Sequence, residues 1–600
     1  MTRWGSSMNL KVWMKKTVSL AVAASVCAGI GTVTMAQTGY NDFDAIVSHI
    51  NLKVPAKLII TRPSADITTT AAAFFITGNS DPGQSLTMNG ETVTTRGSRG
   101  SFGVYVALDS GKNVYTFQQG NVAATVTITK GNAAFAPTTS VVSSMAPSFD
   151  CATFSGSTIN LSCVAPSGAS VTATVGGRKV AMKQAAATEK AGVPASFTGS
   201  TTAGNVSATK NIGFVTYTLT YNGKTTQYQS AGSVFIAPKG NTSLVVKVKN
   251  NAASIYKDHA RSAFIETARL GAVDYVTDIG STSYQLSSGG WIPKDSVIPL
   301  TGKVAVSNQI SSASYEIGQK GEQLVLTGAS APFFRAVQES DNLTVKLFHT
   351  TGVQNFSVAK SKLFSGASVT EKNGATTIVF TLSGKRVLWG YDIKYSNGVT
   401  TIYAKYAPSL SSGSKPLTGI TVALDAGHGG TDPGAIGIPG TAGAMEKDIT
   451  LATAIAVQKR LESLGATVLQ LRPKDMDLTM NDRMTMTQNV YADFFISLHC
   501  NSIGYEQNSN TVSGAEVFYY EGIAKNFAST LSSNVAGYTG RKNRGALFSN
   551  YRVTMNSFAP SVLVEMGFLT NAVEYDDLTS REGIFKTANA VGDSIVTALR

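Results

Sequence analysis

Two patterns of apolar and polar positions divide the chain at about Gly419. Before this residue, short runs rich in Val, Thr, Phe and Tyr alternate with polar positions and are separated by Gly-, Asn- and Ser-rich turns. Such period-two alternation is typical of strands with one buried face. After it, continuous apolar strands such as Ile420–Leu424 alternate with segments of helical period such as Glu446–Leu464. We therefore predict N-terminal all-β modules, comprising sandwiches and a small barrel, and a C-terminal α/β domain with a mainly parallel sheet flanked by helices.

Internal similarity and turn-rich boundaries subdivide the chain, whose 600 residues exceed what one hydrophobic core serves. Residues 76–90 and 161–177 each give a strand, a Pro/Gly turn, a second strand and a glycine hairpin turn, and they resemble immunoglobulin-like modules of bacterial exoenzymes. The predicted division is a leader at 1–36, immunoglobulin-like modules at 37–132 and 133–250, an SH3-like module at 251–297, a β-rich envelope-targeting domain at 298–410, a linker at 411–418 and the α/β domain at 419–600.

The third of these modules resembles the small SH3-like barrels of bacterial wall enzymes. The resemblance rests on the segment Gly289–Ile292 and on the nearby Tyr284. One interpretation is a groove for a wall ligand lined by Tyr256, Tyr284 and Trp291. The other, which we favour, is that Trp291 fills the core of the barrel.

The first 36 residues have the organisation of a secretory signal peptide. Lys11, Lys15 and Lys16 precede an apolar run from Val18 to Val33, and small residues follow up to Ala36. No later stretch is apolar and long enough to span a bilayer. We therefore expect a protein that is secreted, extracellular or associated with the cell wall, with no transmembrane span after the leader is cleaved.

The cysteines leave one question open. Cys151 and Cys163 both lie in a β-rich region, and in an oxidising compartment they have the option of forming a disulfide. Whether they do depends on geometry. Cys500 would then remain single.

The net charge of +13 is unevenly distributed. Residues 419–600 carry 14 Lys and Arg against 18 Asp and Glu, whereas the remainder carries 36 against 19. A basic N-terminal part indicates an anionic partner. For an exported protein, we expect anionic cell-wall polymers or lipid head groups rather than nucleic acid. The alternative is that the lysines only keep strand edges soluble.

Candidate chemistry is concentrated in the C-terminal domain, residues 419–600. His428 and His499 follow apolar strands, and functional groups of α/β sheets gather at the carboxyl ends of strands. Glu446 begins a predicted helix. The alternative role for its carboxylate is purely structural, because a negative charge at the start of a helix interacts favourably with the helix dipole. Two imidazoles and a carboxylate form a catalytic zinc set with one open position. Glu565 ends a buried strand and is the candidate general base, with a pKa raised by burial.

These residues fall within a series of motifs that resembles the zinc-dependent N-acetylmuramoyl-L-alanine amidases. The resemblance covers residues 419–600 and implies one catalytic Zn²⁺ held by His428, Glu446 and His499, with Glu565 as catalytic acid and base. It implies that Asn501 contacts substrate or orients the site, and that the substrate is peptidoglycan. The matching segments, in chain order, are Leu424–Ala435, Glu446–Asp448, the spaced Arg472, Asp475 and Arg483, Phe495–Ser502, Ser513–Tyr519 and Ala559–Asn571.

Two departures and two alternatives accompany this interpretation. Cys500 stands where a small residue is usual, and strand alternation predicts that it points away from the side that His499 faces. The segment between Asn501 and Ser513 is too short for the inhibitory helix of some relatives. The alternative functions are a wall-binding surface protein with a vestigial amidase domain, and a zinc peptidase acting within the stem peptide.

Overall fold

A computed structural model describes residues 43–131, 137–185, 190–250, 252–328, 330–339 and 341–600. The predicted signal peptide, residues 1–36, lies outside them. Within these ranges no helix is both long and apolar enough to cross a membrane. Most of the helical residues follow Gly419. The α-helices are α1 (Phe43–Ile46), α2 (Glu446–Ser463), α3 (Met480–Asn489), α4 (Lys525–Thr539), α5 (Ala572–Leu578) and α6 (Arg581–Ala598).

The first β module, residues 59–130, consists of two sheets around an apolar core that includes Phe102 and Phe117. One sheet has the order β1-β3-β6 and the other β2-β8-β7-β4-β5. The strands are β1 (Ile59–Arg62), β2 (Ile67–Thr69), β3 (Ala73–Asn79), β4 (Thr87–Met88), β5 (Glu91–Thr92), β6 (Ser101–Ala107), β7 (Gly111–Gln119) and β8 (Val122–Lys130).

The second β module, residues 151–237, also has two sheets, with the orders β10-β14-β13 and β12-β11-β15-β16-β9. Period-two burial along β10 places Leu161 and Cys163 in its core. Cys151 and Cys163 both carry free thiols, so the possible disulfide is not formed. The strands are β9 (Cys151–Phe154), β10 (Thr158–Pro166), β11 (Ser170–Val175), β12 (Arg178–Ala181), β13 (Lys183–Gln184), β14 (Pro194–Thr202), β15 (Lys210–Tyr221) and β16 (Lys224–Ala237).

The third β module, residues 245–299, is one seven-stranded sheet with the order β19-β18-β22-β21-β20-β17-β23. Tyr284, and not Trp291, is the aromatic residue buried in its core. The half-buried Trp291 packs edge-on against His259, so the interpretation that Trp291 fills the core is wrong, and Tyr284 does not line a groove. The strands are β17 (Val245–Val248), β18 (Ala252–Tyr256), β19 (Phe264–Arg269), β20 (Val273–Ile279), β21 (Ser283–Leu286), β22 (Trp291–Pro293) and β23 (Val297–Pro299).

The fourth β module, residues 308–406, is a pair of sheets with the orders β28-β24-β25-β32-β31 and β26-β27-β30-β29. Alternating apolar residues of both sheets form its core. The strands are β24 (Asn308–Ile317), β25 (Gly321–Gly328), β26 (Phe333–Gln338), β27 (Asn342–Phe348), β28 (Thr350–Thr351), β29 (Phe364–Lys372), β30 (Ala375–Leu382), β31 (Leu388–Ser396) and β32 (Val399–Tyr406). The immunoglobulin-like, SH3-like and envelope-targeting assignments of the four modules stay predictions.

The C-terminal domain is built on a six-stranded sheet with the order β34-β33-β35-β38-β36-β37. Four of its five pairings are parallel, and β36 pairs antiparallel with β38. Residues after the central parallel strands therefore meet at one edge, where ligands of α/β sheets bind. The strands are β33 (Thr421–Ala426), β34 (Thr467–Gln470), β35 (Phe494–Asn501), β36 (Ala515–Tyr519), β37 (Asn543–Phe548) and β38 (Ser561–Phe568).

The core of the C-terminal domain extends beyond residues 419–600. Phe43, Val47 and Ile50, assigned from sequence to the first module, are buried in the same apolar cluster as the β33, β35 and β38 residues. Phe75 of β3 and Trp389 of β31 join this cluster as well. The first and fourth β modules therefore pack directly against the C-terminal domain.

Candidate active site

The side chains of His428, Glu446 and His499 meet at the carboxyl edge of the central strands. Their potential ligand atoms all lie within 4.8 Å of one another. His428 Nε2 lies 3.1 Å and His499 Nδ1 3.0 Å from the same carboxylate oxygen, Glu446 Oε1. His428 follows β33, His499 belongs to β35, and Glu446 is the first residue of α2. Residues more than 70 positions apart in sequence thus form one compact cluster, which we call the candidate metal site.

Glycines make the room that this cluster requires. A Cβ atom on Gly427 would lie 2.4 Å from the His499 ring, and one on Gly434 would lie 2.6 Å from the Glu446 carboxylate. His428 itself has a φ of 61°, a left-handed conformation that few non-glycine residues adopt. Such conformations persist where the surrounding structure over-determines them, often at functional sites.

Two buried arginines hold the backbone that carries His428. Arg483 pairs with Asp425, and its guanidinium donates to the carbonyl oxygens of Ala426 (3.0 Å) and His428 (2.9 Å). Arg472 donates from Nε to the Ala426 carbonyl oxygen at 3.0 Å. The two arginines of the Arg/Asp/Arg pattern therefore position the first histidine, a role that the sequence did not assign.

Hydrogen bonds and charge set the protonation of the cluster. Burial by itself raises the pKa of Glu446, but hydrogen bonds from His428 and His499 and their charges outweigh it and hold the pKa well below its usual range. Burial lowers the pKa of His428, but Glu446 and Asp432 outweigh it and raise the pKa to about 9. The Asp432 carboxylate lies 2.8 Å from His428 Nδ1, on the side of the ring away from Glu446. A carboxylate at the second nitrogen fixes the tautomer of a metal-binding histidine.

The residues present fit a catalytic metal ion. Two imidazole nitrogens and one carboxylate oxygen converge, and this donor set suits zinc with one position left open. Glu446 also accepts hydrogen bonds from the backbone N–H groups of Cys500 (3.0 Å) and Ala435 (2.8 Å), which orient its carboxylate. The Cys500 side chain is buried, and burial raises the pKa of its thiol far above the usual value, so its thiolate form is disfavoured there.

Glu565 stands beside the candidate metal site on β38. It is the register partner of His499 on β35. Its Oε2 is buried and makes no hydrogen bond with any described residue. Burial raises the pKa of Glu565 to about 7, and the charges of Glu446 and Glu516 add to the rise against the opposing charge of His499. A carboxyl group with such a pKa both accepts and releases a proton near neutral pH.

A second network, missed in the sequence, lies on the other side of Glu565. Glu516 of β36 accepts a hydrogen bond from Asn501 Nδ2 at 2.8 Å and pairs with Arg544 Nε at 2.6 Å. The Asn501 amide is therefore oriented by Glu516. A signal was present, because Glu516 is an acidic residue between apolar neighbours of a buried strand, the same feature that identified Glu565.

These observations define the class of protein, an α/β domain that brings three potential metal ligands and the carboxyl group of Glu565 to one edge of its sheet. A model of the N-acetylmuramoyl-L-alanine amidase family matches residues 422–597. The chain is 37% identical over 186 residues to the uncharacterized protein YqiI of Bacillus subtilis (strain 168), covering 30% of this chain and 86% of YqiI. This chain belongs to the N-acetylmuramoyl-L-alanine amidase family, as the motifs predicted.

Two further relatives carry the amidase name. N-acetylmuramoyl-L-alanine amidase LytC of Bacillus subtilis (strain 168) is 32% identical over 189 residues, 31% of this chain and 36% of LytC. The chain thus spans about a third of the length of that relative. The solved catalytic domain of CwlV, an N-acetylmuramoyl-L-alanine amidase from Bacillus (Paenibacillus) polymyxa var. colistinus, is 32% identical, covers 30% of this chain and 98% of that domain, and has a TM-score of 0.28.

Proposed function

We propose that this protein is a secreted enzyme that hydrolyses the amide bond between N-acetylmuramic acid and L-alanine in peptidoglycan. The observation that carries the proposal is the convergence of His428, Glu446 and His499 next to the half-buried Glu565. Family membership identifies the C-terminal domain as a peptidoglycan amidase domain. The intact cluster makes a vestigial domain the weaker alternative.

His428, Glu446 and His499 would hold one zinc ion. When bound, zinc polarises a carbonyl group and lowers the pKa of water to about 7. Two neutral imidazoles and one carboxylate satisfy three of the four positions of a tetrahedral zinc. Asp432 would keep His428 in the tautomer that leaves Nε2 free to bind, because it lies at Nδ1.

Glu565 would move the proton of the reaction. Hydrolysis requires that water lose a proton as it attacks the lactyl carbonyl and that the alanine nitrogen gain one as the C–N bond breaks. Glu565 would accept the first proton and deliver it to the leaving nitrogen. Its Oε2 has no competing hydrogen bond among the described residues, and its pKa of about 7 suits both transfers.

Digestion of purified peptidoglycan by the full chain tests the proposal. We expect new L-alanine amino termini without new reducing sugar ends, loss of release on chelation and recovery with added zinc. Termini other than alanine would indicate a peptidase acting within the stem peptide. Absence of any release by a folded, metal-loaded protein would contradict the enzymatic proposal and favour the wall-binding alternative.

The variant Glu565→Gln tests the proposed acid and base separately from the metal. Gln keeps the size of the side chain but neither accepts nor releases a proton. We expect kcat to fall by about 100-fold or more, the usual contribution of a general acid and base. Zinc content, measured by elemental analysis, should stay near one per chain. Full activity of this variant would contradict the role of Glu565 and leave the metal assignment standing.

We further propose that the basic β modules hold the enzyme at anionic wall polymers. The excess of Lys and Arg outside residues 419–600 supports this. Binding of the inactive Glu565→Gln variant to sacculi should weaken as salt is raised and should fall when the anionic polymers are stripped. Binding that is indifferent to both treatments would contradict the proposal.

A further inference from the structure

The first β module contacts the C-terminal domain along the rim of the candidate active site. The module lies hundreds of residues away in sequence, yet its strands meet the loops that follow His428 and His499. A Cβ atom on Gly97 would lie 2.2 Å from the Asp576 carboxylate, so the two surfaces approach closely. Hydrogen bonds across this interface include Phe75 N–H to Tyr505 O (2.8 Å), Thr61 Oγ1 to Ile438 O (2.5 Å), Asn510 Nδ2 to Gly103 O (3.0 Å) and Arg99 N–H to Asp576 Oδ2 (2.6 Å).

Arg62, the last residue of β1, reaches across this interface. Its guanidinium carbon lies 3.4 Å from the centroid of the Tyr505 ring, so the two planar groups are in contact. The Tyr505 hydroxyl donates to the Ile436 carbonyl oxygen at 3.0 Å, which fixes the ring. Within the described ranges the Arg62 side chain has neither a hydrogen bond nor an acidic partner. A stacked guanidinium keeps the N–H groups of its edge available to a planar anion.

A cavity of about 200 Å³ lies beside Arg62. Ala435 and Ser502 line it together with Arg62 and Thr570. Ala435 donates its N–H to Glu446 at 2.8 Å, and Ser502 follows His499 by three residues. The cavity therefore adjoins the candidate metal site. Pockets that enclose a whole small ligand measure roughly 300–1,000 Å³, so this one accommodates a single group of a larger substrate.

We propose that Arg62 binds a carboxylate of the stem peptide while the scissile amide lies at the candidate metal site. This inference rests on the proposed function and adds a substrate contact from outside the amidase domain. The guanidinium supplies two parallel N–H donors for a carboxylate, and the polar residues Ser502 and Thr570 line the same cavity. An amide in place of the carboxylate lacks the negative charge and is held less well. The first β module is thereby part of the substrate site and not only a spacer.

The test uses the full chain with two soluble muropeptides that differ only in whether the stem carboxylates are free or converted to amides. The wild type should cleave the free acid with a KM lower by about tenfold, the usual effect of one charge-assisted hydrogen-bonded pair. Arg62→Gln should lose this preference, and Arg62→Lys should keep part of it because the charge remains. Lys112→Gln is the matched control, since it removes one exposed positive charge from β7 of the same module.

The comparison of the two substrates separates the possible failures. Undocking of the first module by Arg62→Gln would raise KM for both muropeptides alike, whereas loss of carboxylate recognition affects only the free acid. Retention of the full preference by Arg62→Gln would overturn the inference and leave the amidase proposal intact. Cleavage of neither muropeptide by the wild type, with purified peptidoglycan also uncut, would instead mark a failure of the proposed function.

Discussion

Glu516 and Glu565 stand directly opposite each other on the antiparallel strands β36 and β38. Like charges at such positions repel, and the charge of Glu516 contributes to the raised pKa of Glu565. Arg544 Nε and Asn501 Nδ2 both bond the Glu516 carboxylate, whereas Glu565 Oε2 has no hydrogen-bond partner among the described residues. The two carboxyl groups therefore have different roles. Glu516 is held by its partners, whereas Glu565 has a carboxyl oxygen free for proton transfer.

The first prediction concerns the pH profile. Glu516→Gln removes a negative neighbour, so the pKa of Glu565 should fall from about 7 and the acid limb of the amidase pH profile should move to lower pH. Gln retains an amide oxygen that accepts the hydrogen bond from Asn501. The measurement is kcat/KM between pH 5 and 9, with the exposed Glu462→Gln as control. An unshifted acid limb would show that Glu516 does not tune Glu565.

A second prediction concerns metal affinity. Asp432→Asn removes the carboxylate that lies 2.8 Å from His428 Nδ1. Partners of this kind are worth 10- to 100-fold in metal affinity, and because Asp432 is largely exposed we expect about tenfold weaker zinc binding. Competition with a chromogenic chelator measures it. Equal zinc affinity in the variant and the wild type would contradict the orienting role of Asp432.

A third prediction concerns the buried ion pair beneath the His428 loop. Both side chains of Arg483 and Asp425 are buried, so Arg483→Met leaves an unpaired charge and should cost about 3–5 kcal/mol. The double variant Asp425→Asn with Arg483→Met should recover part of that loss, since no buried charge is left alone. Hydrogen exchange of the β33 amides reports the local stability. A double variant less protected than Arg483→Met alone would contradict this account.

A fourth prediction uses the contact between the fourth β module and the C-terminal domain. The Tyr391 hydroxyl donates to Glu521 Oε2 at 2.7 Å, and burial raises the pKa of Glu521 above its usual value. The folded protein therefore binds a proton at pH values where the unfolded chain has lost it. The contribution of Glu521 to the free energy of unfolding is fully present below the unfolded pKa near 4.5. It declines as the pH rises above that value.

Glu521→Gln removes this titration. The melting temperature of the variant relative to the wild type should therefore rise as the pH increases from 4 to 8, whatever the offset between the two proteins at pH 4. The exposed Glu462→Gln should show a constant difference over the same range. A difference between Glu521→Gln and the wild type that does not change with pH would contradict the proposed cost of burying the Glu521 charge.

Much of the C-terminal domain was predictable from the sequence because its signals are local. The helix predicted from Glu446 to Leu464 is observed as Glu446–Ser463, and the strand predicted to end at His499 is observed as Phe494–Asn501. Apolar period and strand-end position place both elements without tertiary information. The short edge strand β37 and the helix α5 were not predicted, because an exposed edge strand and a seven-residue helix have weak patterns.

The sequence by itself determined the family and the residues that converge at the site. Each of the motifs around His428, Glu446 and His499 is a short contiguous segment, so it is visible without tertiary information. It also determined the change from β modules to an α/β domain. The tertiary structure alone decided that Tyr284 and not Trp291 fills a core, and that Arg62 lies on Tyr505. The physical reason is distance along the chain: local periodicity reports which face of a strand is buried, but not which remote segment covers that face.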